Sequence, residues 1–196
     1  KFIGQLNQKE LATMVRGEGM MSHKVTTGVT SAFGGLSEAL HEYKIPVACT
    51  ADGPSGIRID TGKEASLMPI GTQLACTWNT DLVEDLYFSE GEELIENKID
   101  TLLGPGMNIQ RNPLNGRNFE YFSEDPFLTG KIALAELKGM NKTGACGTAK
   151  HFACNNQEKN RNTGNSIVSE RALREIYLKA FEICVKEKEL KSFSRE

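Results

Sequence analysis

Apolar positions along this chain alternate between short uninterrupted runs and longer stretches at helical spacing. Runs typical of buried strands cover Val47–Ala51, Ile99–Leu103 and Cys146–Phe152, and Gln73–Cys76 is a weaker strand candidate. Each of the three stronger runs leads into a loop rich in polar residues. The pattern therefore predicts buried strands whose carboxyl ends carry the polar loops.

Helical spacing predicts helices between these runs. They cover Glu10–Val15, Leu36–Tyr43, a segment capped by Asn79 or Thr80, a segment from Asp125–Pro126 to about Met140, and a long final helix capped by Ser169. Aspartate before proline is a good helix start, because aspartate caps the backbone and proline fits the first turn. The final helix has an apolar face of Leu173, Ile176, Tyr177, Ala180 and Cys184. Residues 17–35, rich in glycine and threonine, are predicted to loop over the surface.

Alternation of strands and helices predicts an α/β fold with a parallel sheet wrapped by helices. A (β/α)₈ barrel and an open doubly wound sheet both bind ligands at the carboxyl ends of their strands. The nucleotide-binding version is disfavoured, because neither G-x-G-x-x-G nor a P-loop occurs and Pro105 removes an amide donor. A full barrel needs eight strand–helix units and about 250 residues, whereas four or five units are recognisable here. We therefore expect a TIM-type barrel that is incomplete in this chain.

Composition narrows the functional classes. The 196 residues are 39% hydrophobic and 25% charged, which is ordinary for one globular domain. A net charge of −3 argues against nucleic acid as a partner, and no apolar run reaches the roughly 18 residues of a membrane span. The five cysteines form no C-x-x-C pair, so we expect free thiols, a cytoplasmic location and no zinc or other cofactor.

The first candidate for chemistry is Asp52, which follows a predicted strand and precedes glycine and proline. One interpretation is a turn former, because Asp-Gly is a favoured turn dipeptide. The other is a carboxylate that accepts hydrogen bonds from sugar hydroxyls. Arg58, six residues further on, could orient Asp52 or bind the same ligand through its planar guanidinium.

The second candidate is Arg117, whose neighbours Phe119, Tyr121 and Phe122 suggest a packed loop. A lone arginine in a loop is usually a solvated charge. An arginine in a packed loop needs a partner, which is either a carboxylate or a ligand.

The third set of candidates follows the last predicted strand. Lys150 and His151 are adjacent polar donors where this strand ends, and packing alone does not explain both. The other two histidines, His23 and His41, lie in unrelated segments, so a metal site is not expected. Arg161 lies in a loop dense in amides, which serves either solubility or recognition of hydroxyls.

Three long motifs in this order carry a family resemblance. ADGPSGIR at 51–58, LLGPGMNIQRNPLNGRNFEYFSEDP at 102–126, and AKHFACNNQEKNRNT at 149–163 followed by SERALREIYLKAFE resemble the N-terminal domain of family 3 glycoside hydrolases, bacterial β-glucosidases above all. The resemblance implies a (β/α)₈-type barrel followed by an α/β sandwich, and retaining hydrolysis of β-glucosides from the non-reducing end. It also implies a β-glucoside or oligosaccharide as the partner. The six candidates would line the subsite for the terminal sugar: Asp52, Arg58, Arg117, Lys150, His151 and Arg161.

The resemblance places the catalytic carboxyl groups elsewhere. In the family the nucleophile is an aspartate in a Ser-Asp-Trp-like motif, and the acid/base glutamate lies in the second domain. The one tryptophan here, Trp78, follows Thr77 instead. We therefore expect residues 1–196 to be a partial N-terminal domain that holds the sugar-binding half of the site and is inactive alone. Open sheet edges would then favour self-association. The alternative is a non-catalytic sugar-binding module or a non-functional gene fragment.

Overall fold

The computed structural model describes residues 2–189 and 192–194. Its helices and strands alternate along most of the chain. The helices are α1 (Gln8–Arg16), α2 (Glu38–Glu42), α3 (Gly71–Cys76), α4 (Thr80–Glu96), α5 (Pro126–Thr143), α6 (Glu170–Ala172) and α7 (Lys179–Lys186). The strands are β1 (Ser31–Gly34), β2 (Val47–Asp52), β3 (Thr101–Leu103), β4 (Cys146–Lys150) and β5 (Ser192–Ser194).

The strands form a mixed sheet in chain order, β1-β2-β3-β4-β5. β1 runs antiparallel to β2, and each later strand is parallel to the one before it. The predicted α/β class, with loops after parallel strands, is therefore confirmed. Among the described residues, every helix is too short or too polar to cross a membrane.

Two local predictions were wrong. The weak strand candidate Gln73–Cys76 belongs to helix α3, where the adjacent residues Leu74 and Ala75 are both buried. A strand would turn neighbouring side chains to opposite faces, and a four-residue run is too short to reveal this. The predicted surface loop at 17–35 contains strand β1, which buries Ala32 and pairs with β2.

Helix caps follow the sequence signals closely. Asn79 rather than Thr80 caps α4, with its Oδ1 accepting from the Leu82 amide at 3.0 Å. Asp125 accepts from the Leu128 amide at 2.7 Å, with Pro126 at the first position of α5. Ser169 caps α6 as predicted, but the long final helix is interrupted by a π-helical turn at Leu173–Tyr177.

The α4–α5 interface, packed against the sheet, contains two fully buried carboxyl groups. Glu90 of α4 is 0% exposed and Glu136 of α5 is 1% exposed. Neither oxygen of Glu90, nor Oε1 of Glu136, has a hydrogen-bond partner among the described residues. Burial raises the pKa of Glu90 from 4.5 to about 8, with a contribution from the negative charge of Glu93. Burial also raises the pKa of Glu136 well above its usual value. Glu90 therefore carries a proton at neutral pH.

We expect the stability of the fold to fall as pH rises from 4.5 to about 8, because the native state holds the Glu90 proton more tightly than the unfolded chain does. One such group contributes a slope of up to about 1.4 kcal/mol per pH unit. Glu90→Gln should make the slope shallower, since the amide needs no proton. Urea unfolding between pH 6.5 and 8 measures this, with exposed Glu92→Gln on the same helix as the control. Equal slopes in the Glu90→Gln variant and the parent would contradict the prediction.

Candidate functional site

Polar side chains at the carboxyl ends of the parallel strands meet in one cluster centred on Lys150. Lys150 is the last residue of β4, and its Nζ donates to Oδ1 of Asp52, the last residue of β2, at 2.7 Å. The same Nζ lies 3.6 Å from Oε2 of Glu120 in the loop after β3. Lys150 and Glu120 are buried, whereas the Asp52 side chain is 36% exposed. Asp52 is therefore the part of this charge group that a ligand can reach.

Arg117 extends the cluster along the loop after β3. Its Nε donates to Glu120 Oε1 at 2.6 Å, its Nη2 lies 2.5 Å from His151 Nε2, and its Nη1 lies 3.7 Å from Glu158 Oε1. Glu120 follows three residues later, in a short 3₁₀ turn at Asn118–Glu120. The sequence left a carboxylate or a ligand open as the partner of Arg117, and the structure provides the Glu120 carboxylate.

The Gly104-Pro-Gly106 turn allows this loop to approach β4 closely. The Met107 amide donates to the Lys150 carbonyl at 2.7 Å, and the Lys150 amide donates to the Pro105 carbonyl at 3.0 Å. A Cβ at Gly106 would lie 2.8 Å from the Glu120 carbonyl oxygen and 3.1 Å from Glu120 Oε2. Glycine is therefore needed at position 106 for Glu120 to reach Lys150.

The tautomer of His151 follows from its hydrogen bonds. Its Nε2 faces a guanidinium N–H of Arg117, which can only donate, so Nε2 is the acceptor and the ring proton sits on Nδ1. Nδ1 lies 3.1 Å from Asn108 Oδ1. The identity of that oxygen is fixed, because the Asn108 amide also accepts from the His151 backbone N–H and donates to the His151 carbonyl.

The imidazole of His151 is held neutral by its surroundings. Burial lowers its pKa from 6.5 to about 3, and the positive charges of Arg117, Lys150 and Arg161 act in the same direction. A neutral ring can accept from Arg117 and fix its guanidinium. His151 is thus suited to orienting Arg117 rather than to donating a proton to a substrate.

Arg161 lies at the outer side of the cluster. Its Nη1 is 3.7 Å from Glu158 Oε2, and its side chain is 51% exposed. The side-chain amide of Asn155 donates to Glu158 Oε1 at 3.1 Å. Asn155 also lines a cavity of about 270 Å³, together with Arg161 and Arg111. Arg161 is therefore linked to the buried cluster through Glu158 and is accessible from solvent.

Arg58 lies further from the cluster than the other candidates. Its backbone amide donates to the Asp52 carbonyl at 2.8 Å, which closes the loop after β2. Its guanidinium fork, however, binds Asp60 through Nε at 2.8 Å and Nη2 at 3.2 Å, and is 64% exposed. The fork is thus directed at Asp60 in this structure.

The residues that connect the candidates were not predicted as site residues from the sequence. These are Asn108, Glu120, Tyr121, Asn155 and Glu158. A signal existed for Glu120, which stands three residues after Arg117, and for Glu158, three before Arg161. Opposite charges at this spacing are neighbours on a helical turn. Asn108 and Tyr121 carried no such local signal.

The candidate site has an accessible carboxylate and accessible guanidinium groups. They lie over buried side chains whose opposite charges are paired. Asp52 can accept two hydrogen bonds from vicinal hydroxyls, while Arg161 can donate. Within the described residues, no group of three or more histidine, cysteine, aspartate or glutamate side chains is arranged to hold a metal ion. Recognition of a hydroxyl-rich ligand is the chemistry that this set of groups suits best.

The histidine assignment can be tested by NMR. We expect long-range ¹H–¹⁵N spectra to show His151 neutral and protonated on Nδ1 down to about pH 4, because its pKa is lowered to about 3. The stabilisation from this neutral ring is complete above pH 6.5 and is lost as pH falls towards 3. A His151→Gln variant assigns the resonance. An imidazolium signal for His151 at pH 5–6 would be incompatible with this site.

The sequence of this chain matches a known protein family. Residues 4–193 match the family described as the glycosyl hydrolase family 3 N terminal domain. A β-glucosidase of Ruminococcus albus is 56% identical over 192 residues, which is 98% of this chain and 20% of that protein. The chain thus spans about a fifth of the length of that relative.

Two solved structures have the same fold. The structure of a β-glucosidase from Paenibacillus barengoltzii superposes with a TM-score of 0.96 at 64% identity, covering 99% of this chain and 21% of that one. β-Glucosidase 3B from Thermotoga neapolitana, in complex with glucose, gives a TM-score of 0.89 at 40% identity, covering 98% and 28%. The chain belongs to glycoside hydrolase family 3 and corresponds to its N-terminal domain.

Proposed function

We propose that this segment forms the sugar-binding half of the active site of a retaining β-glucosidase that acts at the non-reducing end of β-glucosides. The observation that carries the proposal is the Asp52–Lys150 pair of 2.7 Å, with its carboxylate open to solvent at the carboxyl ends of β2 and β4. Relatives described as β-glucosidases, one of them in complex with glucose, support the choice of sugar.

The roles of the six candidates follow from their accessibility. Asp52 accepts from sugar hydroxyls, and the buried Lys150 fixes its carboxylate. Arg117, held by Glu120 and His151, borders the ring. Arg161 and Arg58 donate to the outer hydroxyls, because their side chains are about half exposed or more. Each exchanges part of its present contact for the sugar, Arg161 with Glu158 and Arg58 with Asp60.

We further propose that the two catalytic carboxyl groups come from sequence outside these 196 residues. Retaining hydrolysis needs a nucleophile and an acid/base about 5–5.5 Å apart. Asp52 and Glu120, the carboxylates beside Lys150, are both engaged by cations. The Ser-Asp-Trp-like motif expected for the nucleophile is absent from the printed sequence.

The sheet supports the finer fold proposal as well. Parallel strands β2 to β5, with helices between them and polar loops at the carboxyl ends of β2, β3 and β4, are what the first part of a (β/α)₈ barrel contains. We propose that this segment is that first part, and that the remaining strands and an α/β sandwich domain complete the enzyme.

Asp52→Asn should weaken glucose binding by about tenfold or more. The substitution removes a charged acceptor and leaves the buried Lys150 with a weaker partner. Isothermal titration with glucose, on the natural polypeptide that carries this segment, measures the change. Asp85→Asn, an exposed residue of α4, is the matched control and should bind as the parent does. Unchanged affinity in Asp52→Asn would refute the proposed site.

The 196-residue chain alone should not hydrolyse 4-nitrophenyl β-glucoside above the buffer rate, because the catalytic carboxyl groups are not within it. The natural polypeptide should hydrolyse the substrate, with loss of activity in Asp52→Ala. Turnover by the 196-residue chain that disappears in Asp52→Ala would contradict the proposed division of the site. Glucose binding by a natural polypeptide without turnover would favour the alternative of a sugar-binding module.

A further inference from the structure

The loop after β2 is anchored from the helix layer by Tyr87. Tyr87 of α4 is fully buried, and its hydroxyl donates to the Pro54 carbonyl at 3.1 Å. Pro54 lies two residues after Asp52, in the turn Asp52-Gly-Pro-Ser-Gly. The hydroxyl thus holds the backbone of the loop that presents the Asp52 carboxylate.

This loop needs such an anchor because its own side chains contribute little. Gly53 has φ of +150°, and a Cβ there would lie 2.0 Å from the Gly56 carbonyl oxygen. The turn is closed by backbone hydrogen bonds, from the Arg58 amide to the Asp52 carbonyl and from the Met68 amide to the Ser55 carbonyl. The Ser55 hydroxyl has no partner among the described residues. A donor from α4 therefore fixes a carbonyl at the centre of the turn.

Tyr87 lies in a setting that keeps its hydroxyl protonated. Burial raises the pKa of the Tyr87 phenol well above its usual value, and the neighbouring carboxyl groups of Glu136 and Glu90 act in the same direction. The phenol therefore keeps its proton and remains a donor to the Pro54 carbonyl.

We propose that Tyr87 is a positioning residue that holds the loop after β2 so that Asp52 faces the sugar. The inference rests on the proposed function of Asp52 and extends the site by one layer, from the carboxyl ends of the strands to the α4–α5 interface. Tyr87 does not touch the sugar, and its effect passes through the Pro54 carbonyl.

A double-mutant cycle tests this coupling in the natural polypeptide that carries the segment. Tyr87→Phe removes only the hydroxyl and should weaken glucose binding about fivefold. In an Asp52→Asn background the same change should have no further effect, because the loop then has no carboxylate to position. Tyr43→Phe, a half-exposed tyrosine at the end of α2, is the matched control and should bind as the parent does.

Two outcomes would overturn the positioning role: Tyr87→Phe lowers only the melting temperature, or it weakens binding equally in both backgrounds. If Asp52→Asn itself binds glucose normally, the proposed function fails and the role of Tyr87 fails with it.

Discussion

The buried ammonium of Lys150 is the constraint on which the candidate site depends. Removing a charge from water costs several kcal/mol unless partners compensate it. Asp52 at the end of β2 and Glu120 in the loop after β3 provide that compensation, while Lys150 itself ends β4. One side chain therefore ties together the carboxyl ends of three successive strands. The relative positions of these loops are determined by the need to pair this charge.

The need for hydrogen-bond and charge partners also links Lys150 to residues further out. Glu120 contacts both Lys150 and Arg117, and Arg117 contacts His151. Glu120 bonds Arg117, and the remaining guanidinium N–H groups need acceptors. The imidazole of His151 supplies one acceptor, because burial and nearby cations lower its pKa and keep the ring neutral. A residue that the sequence predicts to line the sugar subsite thus serves as a fixed acceptor. The chemical role of His151 is a consequence of its burial and of the charges around it, one of which, Arg117, comes from a distant segment of the chain.

Much of this arrangement could be predicted from local patterns. Continuous apolar runs indicated β2, β3 and β4, and capping residues located the starts of α4 and α5 within a residue. Strand β1 was missed because it is a four-residue edge strand in a glycine-rich stretch, stabilised by pairing with distant residues. Of the six candidates, Asp52 contacts Lys150 and Arg117 contacts His151, and Glu120 joins the two pairs. Tertiary contacts such as Asn108 with His151 span 43 positions, and no local pattern encodes them.

Buried carboxyl groups occur in two different environments in this molecule. Within the described part of the chain, those in the candidate site lie beside cations, and those between the helices do not. At the carboxyl ends of the strands, Glu120 is buried in contact with the cations of Lys150 and Arg117. Between α4 and α5, Glu90 and Glu136 are buried beside one another, and burial raises the pKa of both. An ion pair next to solvent is preorganised to exchange a contact for a ligand hydroxyl with little rearrangement. In the helix layer, burial and the neighbouring carboxyl groups of Glu136 and Glu90 raise the pKa of Tyr87. The Tyr87 phenol therefore keeps the proton that it donates to the Pro54 carbonyl, in a loop built from glycine and proline.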